Sequence, residues 1–527
     1  MSGDAVASAR PETPAWVRDA VFYQIFPDRF ARSGRVVPPG PLEPWDTPPT
    51  VHGFKGGDLL GVAEHLDHLE ALGVTAIYFN PVLQSASNHR YHTYDYFRVD
   101  PLLGGDAALR ELIDACHARG MRILLDGVFN HASRGFWPFN HVLETGRHSP
   151  YVGWFYFHAD DLASERPIRA YPLERVAVDV ATVTDEQRAG SGSLSALGYQ
   201  AWWGLPALPK LNTSNPHARA YLLSAAEHWI RFGADGWRLD VAEEVPDDFW
   251  REFRQRVKAV DPDAYMVAEV WHEKPGDLRG DMYDALMNYP LAEAILSFVA
   301  AGRLDRRVIA QHFNLAASVR DEDAATFAAR LERALTIYDP NVTAVQLNLL
   351  DSHDTPRFLT MAGGDTRSLE LATLIQMTLP GAPSIYYGDE IGLQGELDPF
   401  SRGSFPWDHP ERWDHGLLAT FTVAAALRHA HRVLRHGVTR IVATVASTIA
   451  YLRFDGHDVA LVVVNAGDQP CELSVELPQL EGRTFVGAAW RGPTGGGSAP
   501  MPGAVRVVDG RLELLVPPRD GAVLIAE

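Results

Sequence analysis

The chain has 527 residues, 46% hydrophobic and 22% charged, enough apolar material for a large soluble core without disulfide or metal staples. Its formal net charge of −20 argues against nucleic acid and anionic membranes as partners, since both are recognised through basic surface. The two cysteines, Cys116 and Cys471, fall in regions of different character, so no disulfide framework is expected and free thiols point to a reducing, cytoplasmic setting.

Residues 1–13 hold no apolar stretch of the kind a secretory signal needs, no run is long enough to cross a membrane, and residues 1–15 are expected to be disordered. From about residue 20 to 435, short apolar runs alternate with helical patterns. Candidate strands cover residues 21–26, 74–80, 121–126, 236–240, 265–270, 285–288, 345–350 and 384–387. Candidate helices include 107–119 and 217–232, the latter carrying Tyr221, Ala225, Trp229 and Phe232 at helical spacing. Eight strands with intervening helices predict an α/β fold, a (β/α)8 barrel built from residues 16–131 and 213–436. An open doubly wound sheet is the competing arrangement, and the lack of a phosphate-cradling glycine loop counts weakly against it. Residues 132–212, rich in aromatics and turn formers, read as an inserted domain after the third strand. Beyond Gly437 the pattern shifts to short alternating strands at 449–454, 459–465, 472–477, 512–516 and 522–525, a C-terminal all-β sandwich over 437–527 with a Gly/Pro-rich loop at 492–503.

Barrel enzymes place their chemistry at the C-terminal ends of the strands. There the apolar runs stop at Asp126 and His131, at Arg238 and Asp240, at Glu269, Trp271 and His272, and at His353 and Asp354. Arg238 and Asp240 are two residues apart and so face one side of a strand. The arginine is expected to lower the Asp240 pKa and keep it ionised, as a nucleophile requires, while the apolar approach to Glu269 suits a proton donor. Two carboxyls biased in opposite directions are the pattern of glycoside hydrolysis. Asp354 adds negative charge suited to an oxocarbenium-like transition state, and His131 and His353 suit sugar hydroxyls. Any one of these residues alone is more often a solvated loop residue or a helix cap; the constellation carries the reading.

Four segments, DGVFNH at 126–131, GWRLDVA at 236–242, EVWH at 269–272 and LDSHD at 350–354, resemble in order and spacing the four signature regions of the α-amylase family of glycoside hydrolases. The resemblance implies a TIM barrel with a B domain inserted after strand three and a C-terminal β-domain. It makes Asp240 the nucleophile, Glu269 the acid/base and Asp354 the transition-state stabiliser, with Arg238, His131 and His353 around the cleaved sugar. LPKLN at 208–212 is similar to a further motif of the neopullulanase, cyclomaltodextrinase and maltogenic amylase group, and VFYQIFPDRF at 21–30 opens the barrel in that group's style. In SNHRY at 87–91, Tyr91 matches the ring that stacks on the cleaved sugar; in DPFSR, Asp398 and Arg402 match a pair contacting donor-side sugars; Glu244 matches an acceptor-side glutamate. Trp271, His272, Trp202 and Trp203 are further candidate sugar contacts, with core packing at least as plausible for the last two.

The resemblance thus implies a retaining hydrolase cutting α-1,4 bonds in maltodextrins, cyclomaltodextrins, pullulan or starch, with maltose a major product. An α-glucosidase or glucan-transferring enzyme of the same fold is the alternative, and a non-catalytic sugar-binding protein a remote one. No cofactor is implied. The group usually carries an N-terminal β-domain that helps build a dimer; only about fifteen residues precede the barrel here, so a monomer is expected. His92 stands where the group commonly has Asp, and Glu243 where it has Asn. The loop 31–41 lacks the acidic and amide residues that bind calcium in some relatives, so no metal site is expected there.

Overall fold

A computed structural model of the chain describes residues 11–163, 168–171, 193–456, 458–490 and 503–527. The first ten strands are β1 (Phe22–Ile25), β2 (Ala76–Phe79), β3 (Leu83–Ser85), β4 (Thr93–Val99), β5 (Arg122–Gly127), β6 (Gly236–Leu239), β7 (Tyr265–Ala268), β8 (Ala285–Leu286), β9 (Leu347–Leu349) and β10 (Ala382–Tyr386). β3 and β4 form an antiparallel hairpin. The other eight pair in the order β8-β7-β6-β5-β2-β1-β10-β9, every pair parallel. A parallel bridge from Met287 to Leu347 closes the ring, which settles the choice between barrel and open sheet.

Period-two geometry then decides what lines the interior. Phe22, Ala76, Tyr78, Leu124, Tyr265, Val267, Leu347 and Ala382 form one buried apolar cluster that plugs the barrel. The next inward position along each strand is polar: Gln24 after Phe22, Asn80 after Tyr78, Asp126 after Leu124, Arg238 and Asp240 after Gly236, Glu269 after Val267. Gly236 is required where β6 meets β7, because a Cβ there would lie 2.1 Å from the Tyr265 carbonyl oxygen.

The outer layer follows from local signals. The helix Pro216–Phe232 begins at Asn215, whose side chain accepts the His217 and Ala218 N–H groups, with proline in the first turn, and it ends at Gly233 with φ 113°. After β1 a long loop wraps a lysine. The Lys55 side chain is fully buried, and its ammonium donates to the Pro44 carbonyl at 2.6 Å, the Thr47 carbonyl at 2.7 Å and the Thr47 hydroxyl at 2.7 Å. The flanking acids are satisfied by protein donors: Asp28 takes the Lys55 and Gly56 N–H groups, and Asp58 takes those of Ser33 and Gly61.

In the inserted segment, bridges join His131 to Lys210, Phe155 to Leu211 and Ala201 to Pro209. A helix, Trp137–Thr145, packs beside them. The C-terminal strands are β11 (Val438–Val445), β12 (Thr448–Asp455), β13 (Asp458–Asn465), β14 (Cys471–Glu476), β15 (Thr484–Ala488), β16 (Ala504–Arg506), β17 (Arg511–Val516) and β18 (Asp520–Ala526). Six form one sheet, and β14 with β17 form a second across a shared apolar core. Residues 1–10 and most of the expected loop 492–503 lie outside the described residues. Residues 11–15, expected to be disordered, are tied to the barrel: the Pro11 carbonyl accepts from Asn341 and the Glu12 carbonyl from Arg254. Both cysteines are free, and among the described residues no helix is long and apolar enough to cross a membrane.

Candidate active site

Arg238 is the hub of the barrel mouth. Its side chain is wholly buried; Nη1 lies 2.9 Å from Asp126 Oδ1 and 2.7 Å from Asp240 Oδ1, and Nη2 lies 2.9 Å from Glu269 Oε2. One guanidinium therefore serves three carboxylates delivered by three neighbouring strands.

A proton-ordered chain holds the opposite wall. Gln24 Nε2 donates to Asn80 Oδ1 at 3.1 Å and to His353 Nδ1 at 2.9 Å. That leaves the proton of His353 on Nε2, which faces the Tyr91 hydroxyl at 2.7 Å and Asp354 Oδ2 at 3.1 Å. Tyr91 in turn donates to Asp126 Oδ2 at 2.8 Å, and Asn80 Nδ2 donates to Tyr91 at 3.0 Å. The Tyr91 and His353 rings stack with 6° between their planes. Each member can make its bonds in only one sense, so the tyrosine is fixed in orientation.

Burial dominates the electrostatics. It raises Asp240 well above the ordinary carboxyl range against the opposing pull of Arg238, and it pushes Asp126 up to about 6. Arg238 does pull the Asp240 pKa down, but the expectation that this leaves it low is corrected: desolvation of the buried carboxyl outweighs the arginine. Asp354 is pushed up to about 7, by burial first and by the nearby Glu269 charge second. Burial also takes His131 down to about 3 and His353 well below its usual value, so both imidazoles are neutral hydrogen-bonding groups. Among the described residues, Asp240 Oδ2 and His131 Nε2 have no partner within the protein.

The remaining candidates fall on two sides. On one, Arg402 lies 3.3 Å from Asp354, 3.0 Å from Asp398 and donates to the His353 carbonyl at 2.9 Å. On the other, His131 stacks on Trp202 at 4.7 Å, Trp202 stacks on Trp203, and Glu244 ties this stack down through Trp202 Nε1 at 3.0 Å and Lys210 Nζ at 3.2 Å. Trp202 and Trp203 are half-buried members of this wall, not core residues. His272 is exposed and pairs with Glu243 at 3.2 Å. Trp271 donates its indole N–H to Glu269 Oε1 at 3.2 Å. Gln24 and Asn80 join the site without having been singled out, although their inward strand positions signalled them, and Asp126, read from the sequence only as a polar strand end without a role, joins it as a partner of Arg238 and Tyr91.

A closed barrel whose C-terminal mouth gathers carboxylates, neutral imidazoles and aromatic rings around one arginine has the features of a sugar-cleaving hydrolase. The model of the α-amylase catalytic domain matches residues 24–425, and the chain belongs to the α-amylase family of glycoside hydrolases. It is 45% identical to a cyclomaltodextrinase from a Bacillus species over 458 residues, 86% of this chain and 74% of that one. Among solved structures, Ttha1563 from Thermus thermophilus is 43% identical with a TM-score of 0.82, covering 97% of this chain and 99% of that one. The native form of a debranching enzyme from Nostoc punctiforme is 39% identical with a TM-score of 0.80, covering 98% and 100%.

Proposed function

We propose that the protein is a retaining hydrolase of α-1,4-glucosidic bonds in maltodextrins, cyclomaltodextrins, pullulan or starch, releasing maltose as a major product. The observation that carries the reading is the Arg238 guanidinium lying within ion-pair distance of both Asp240 and Glu269. A fork of that size holds two carboxyls close together, and retaining enzymes keep theirs about 5–5.5 Å apart, against about 6.5–9.5 Å in inverting ones. Asp240 attacks the anomeric carbon with its unpartnered Oδ2 while Glu269 gives its proton to the departing glycosidic oxygen. The resulting glycosyl ester is hydrolysed by a water from which Glu269 takes a proton, restoring both groups. Asp354 stabilises the positive charge between these steps. Tyr91 offers its ring to the sugar being cleaved, and Arg238, His131 and His353 orient it. Asp398 and Arg402 hold donor-side sugars, and Glu244, with His272 farther out, faces the acceptor side. The barrel at 16–131 and 213–436, the insert at 132–212 and the sandwich at 437–527 form the working units.

Digestion of β-cyclodextrin, pullulan and soluble starch tests this reading, with chromatography of the products and proton NMR of the first one formed. Maltose with an initial α-anomer is expected; an initial β-anomer overturns the double displacement, and glucose as the sole product favours an α-glucosidase. Full-length agreement with a debranching enzyme favours a second reading, attack on α-1,6 bonds. Pullulan separates the two, since a cut at α-1,6 gives maltotriose and a cut at α-1,4 gives panose.

The protein is further proposed to be a cytoplasmic monomer that needs no metal. Its charge of −20 opposes self-association at low salt, and the acids beside the β1 loop are already satisfied by protein donors. Light scattering should return a mass near 58.1 kDa, and EDTA should leave activity and melting temperature unchanged. Twice that mass, or a melting temperature lowered by EDTA and restored by calcium, would refute this.

A further inference from the structure

Trp271 sits two residues beyond the acid/base and was expected to contact sugar. Its faces are not free: Tyr289 stacks on the ring at 3.8 Å with 12° between planes, and His312 stacks on it at 4.7 Å with 27°. A clamped indole offers a ligand only its edge, and that edge is turned toward Glu269.

The two oxygens of Glu269 have different surroundings. Oε2 accepts the Val241 backbone N–H at 3.0 Å and lies 2.9 Å from Arg238 Nη2. Val241 presents that N–H from a left-handed backbone, φ 46° and ψ 47°, which is strained for a β-branched residue. Oε1 accepts the Trp271 indole N–H at 3.2 Å. With the Val241 N–H bonded to Oε2 and the Arg238 charge beside it, the transferable proton belongs on Oε1. A hydroxyl oxygen of a carboxylic acid is a poor acceptor and a carboxylate oxygen a strong one.

We propose that Trp271 is a positioning residue for Glu269 rather than a surface for sugar, an inference that rests on the acid/base role given to Glu269 above. Its indole bond strengthens as the proton leaves Oε1 for the glycosidic oxygen and weakens when Glu269 recovers a proton from the attacking water. An interaction that grows toward the transition state raises turnover and leaves substrate affinity alone. The Tyr289–His312 clamp keeps the indole from rotating out of line.

Trp271→Phe keeps a ring for the clamp and deletes the N–H. On maltotriose its kcat should fall about tenfold while KM stays within about twofold, the scale of one lost hydrogen bond to a charged group. With an activated aryl α-maltoside, whose leaving group needs no proton, the first-turnover release of the aryl group should match the parent. Trp271→Met, which also fills the clamp without an N–H, should behave alike, and it carries the test if the phenylalanine variant fails to fold. A raised KM with unchanged kcat would show a sugar platform, and equal losses on both substrates would show a general structural role; either overturns the proposal. Glu269→Gln assayed beside them separates the two levels. If Glu269→Gln shows no leaving-group dependence, the acid/base reading fails; if it does and the Trp271 variants do not, only the present inference fails.

Discussion

Asparagine at position 240 is expected to lower turnover of maltotriose by roughly 10⁴-fold or more, the scale of losing a covalent participant in a coupled catalytic group. An amide cannot form the glycosyl ester, yet it fills the same space beside Arg238, so the variant should fold and bind substrate. Glutamine at 269 should behave differently. On the proposed assignment it deletes the proton donor but leaves the nucleophile, so ester formation with an activated aryl maltoside should persist while maltotriose, whose alkoxide is a poor leaving group, is hardly cut. Burst release of the aryl group from Glu269→Gln, and its absence from Asp240→Asn, is the diagnostic pair. Near-parental rates on maltotriose from both variants would show that the chemistry lies elsewhere.

Replacing Arg238 with methionine should cost both stability and activity. The guanidinium is completely buried against Asp126, Asp240 and Glu269, and removing one partner of a buried ionic group costs about 3–5 kcal/mol, because charge is left uncompensated in the interior. The pH dependence follows from the same charges. A carboxyl whose folded pKa lies above its unfolded value contributes stability below the unfolded value and loses it as pH rises through the folded one. In the parent that window runs from about 4 upward, through about 6 for Asp126 and about 7 for Asp354. Loss of the arginine raises these values further, since its charge opposes the upward shift at Asp126, Asp240 and Asp354. The gap in unfolding free energy between parent and Arg238→Met should therefore widen from pH 5 to pH 8, and residual activity should move to higher pH, where Asp240 can still ionise. A gap that narrows with rising pH would show that the carboxylates are not the groups Arg238 serves.

All eight barrel strands stand in the sequence as apolar runs, because a strand covered on both faces has no polar side to break the run. The helix Pro216–Phe232 was equally plain, since Asn-Pro at its start and Gly at its end are local signals. β11 was missed. It lies at the sheet edge, and a register shift between Ile441 and Ala443 breaks the alternation that would reveal it. The β3–β4 hairpin escaped for a similar reason, with register shifts on either side of Gln84. Among site residues, Asp240 and Glu269 could be read because each follows an apolar strand. The parts played by Gln24 and Asn80 could not, because a hydrogen-bond chain from β1 through β2 to His353 beyond β9 exists only once the ring has closed. The fate of Trp271 was likewise hidden: Tyr289 and His312 are distant in sequence and meet it only in space.

The caged lysine of the β1 loop has a thermodynamic consequence. A dissociable ion that binds only the folded state adds stability in proportion to the logarithm of its free concentration, so a loop organised by such an ion feels every change in its surroundings. The Lys55 ammonium occupies its ring of oxygens at a local concentration fixed by the covalent chain. It cannot be diluted away, competed off by another ion or captured by a chelator, and it travels with the polypeptide from synthesis onward. The order it gives to residues 43–55, and through the Asn88 contacts with the Val51 and Gly53 carbonyls to the segment bearing Tyr91, is thus independent of the ionic composition of the medium.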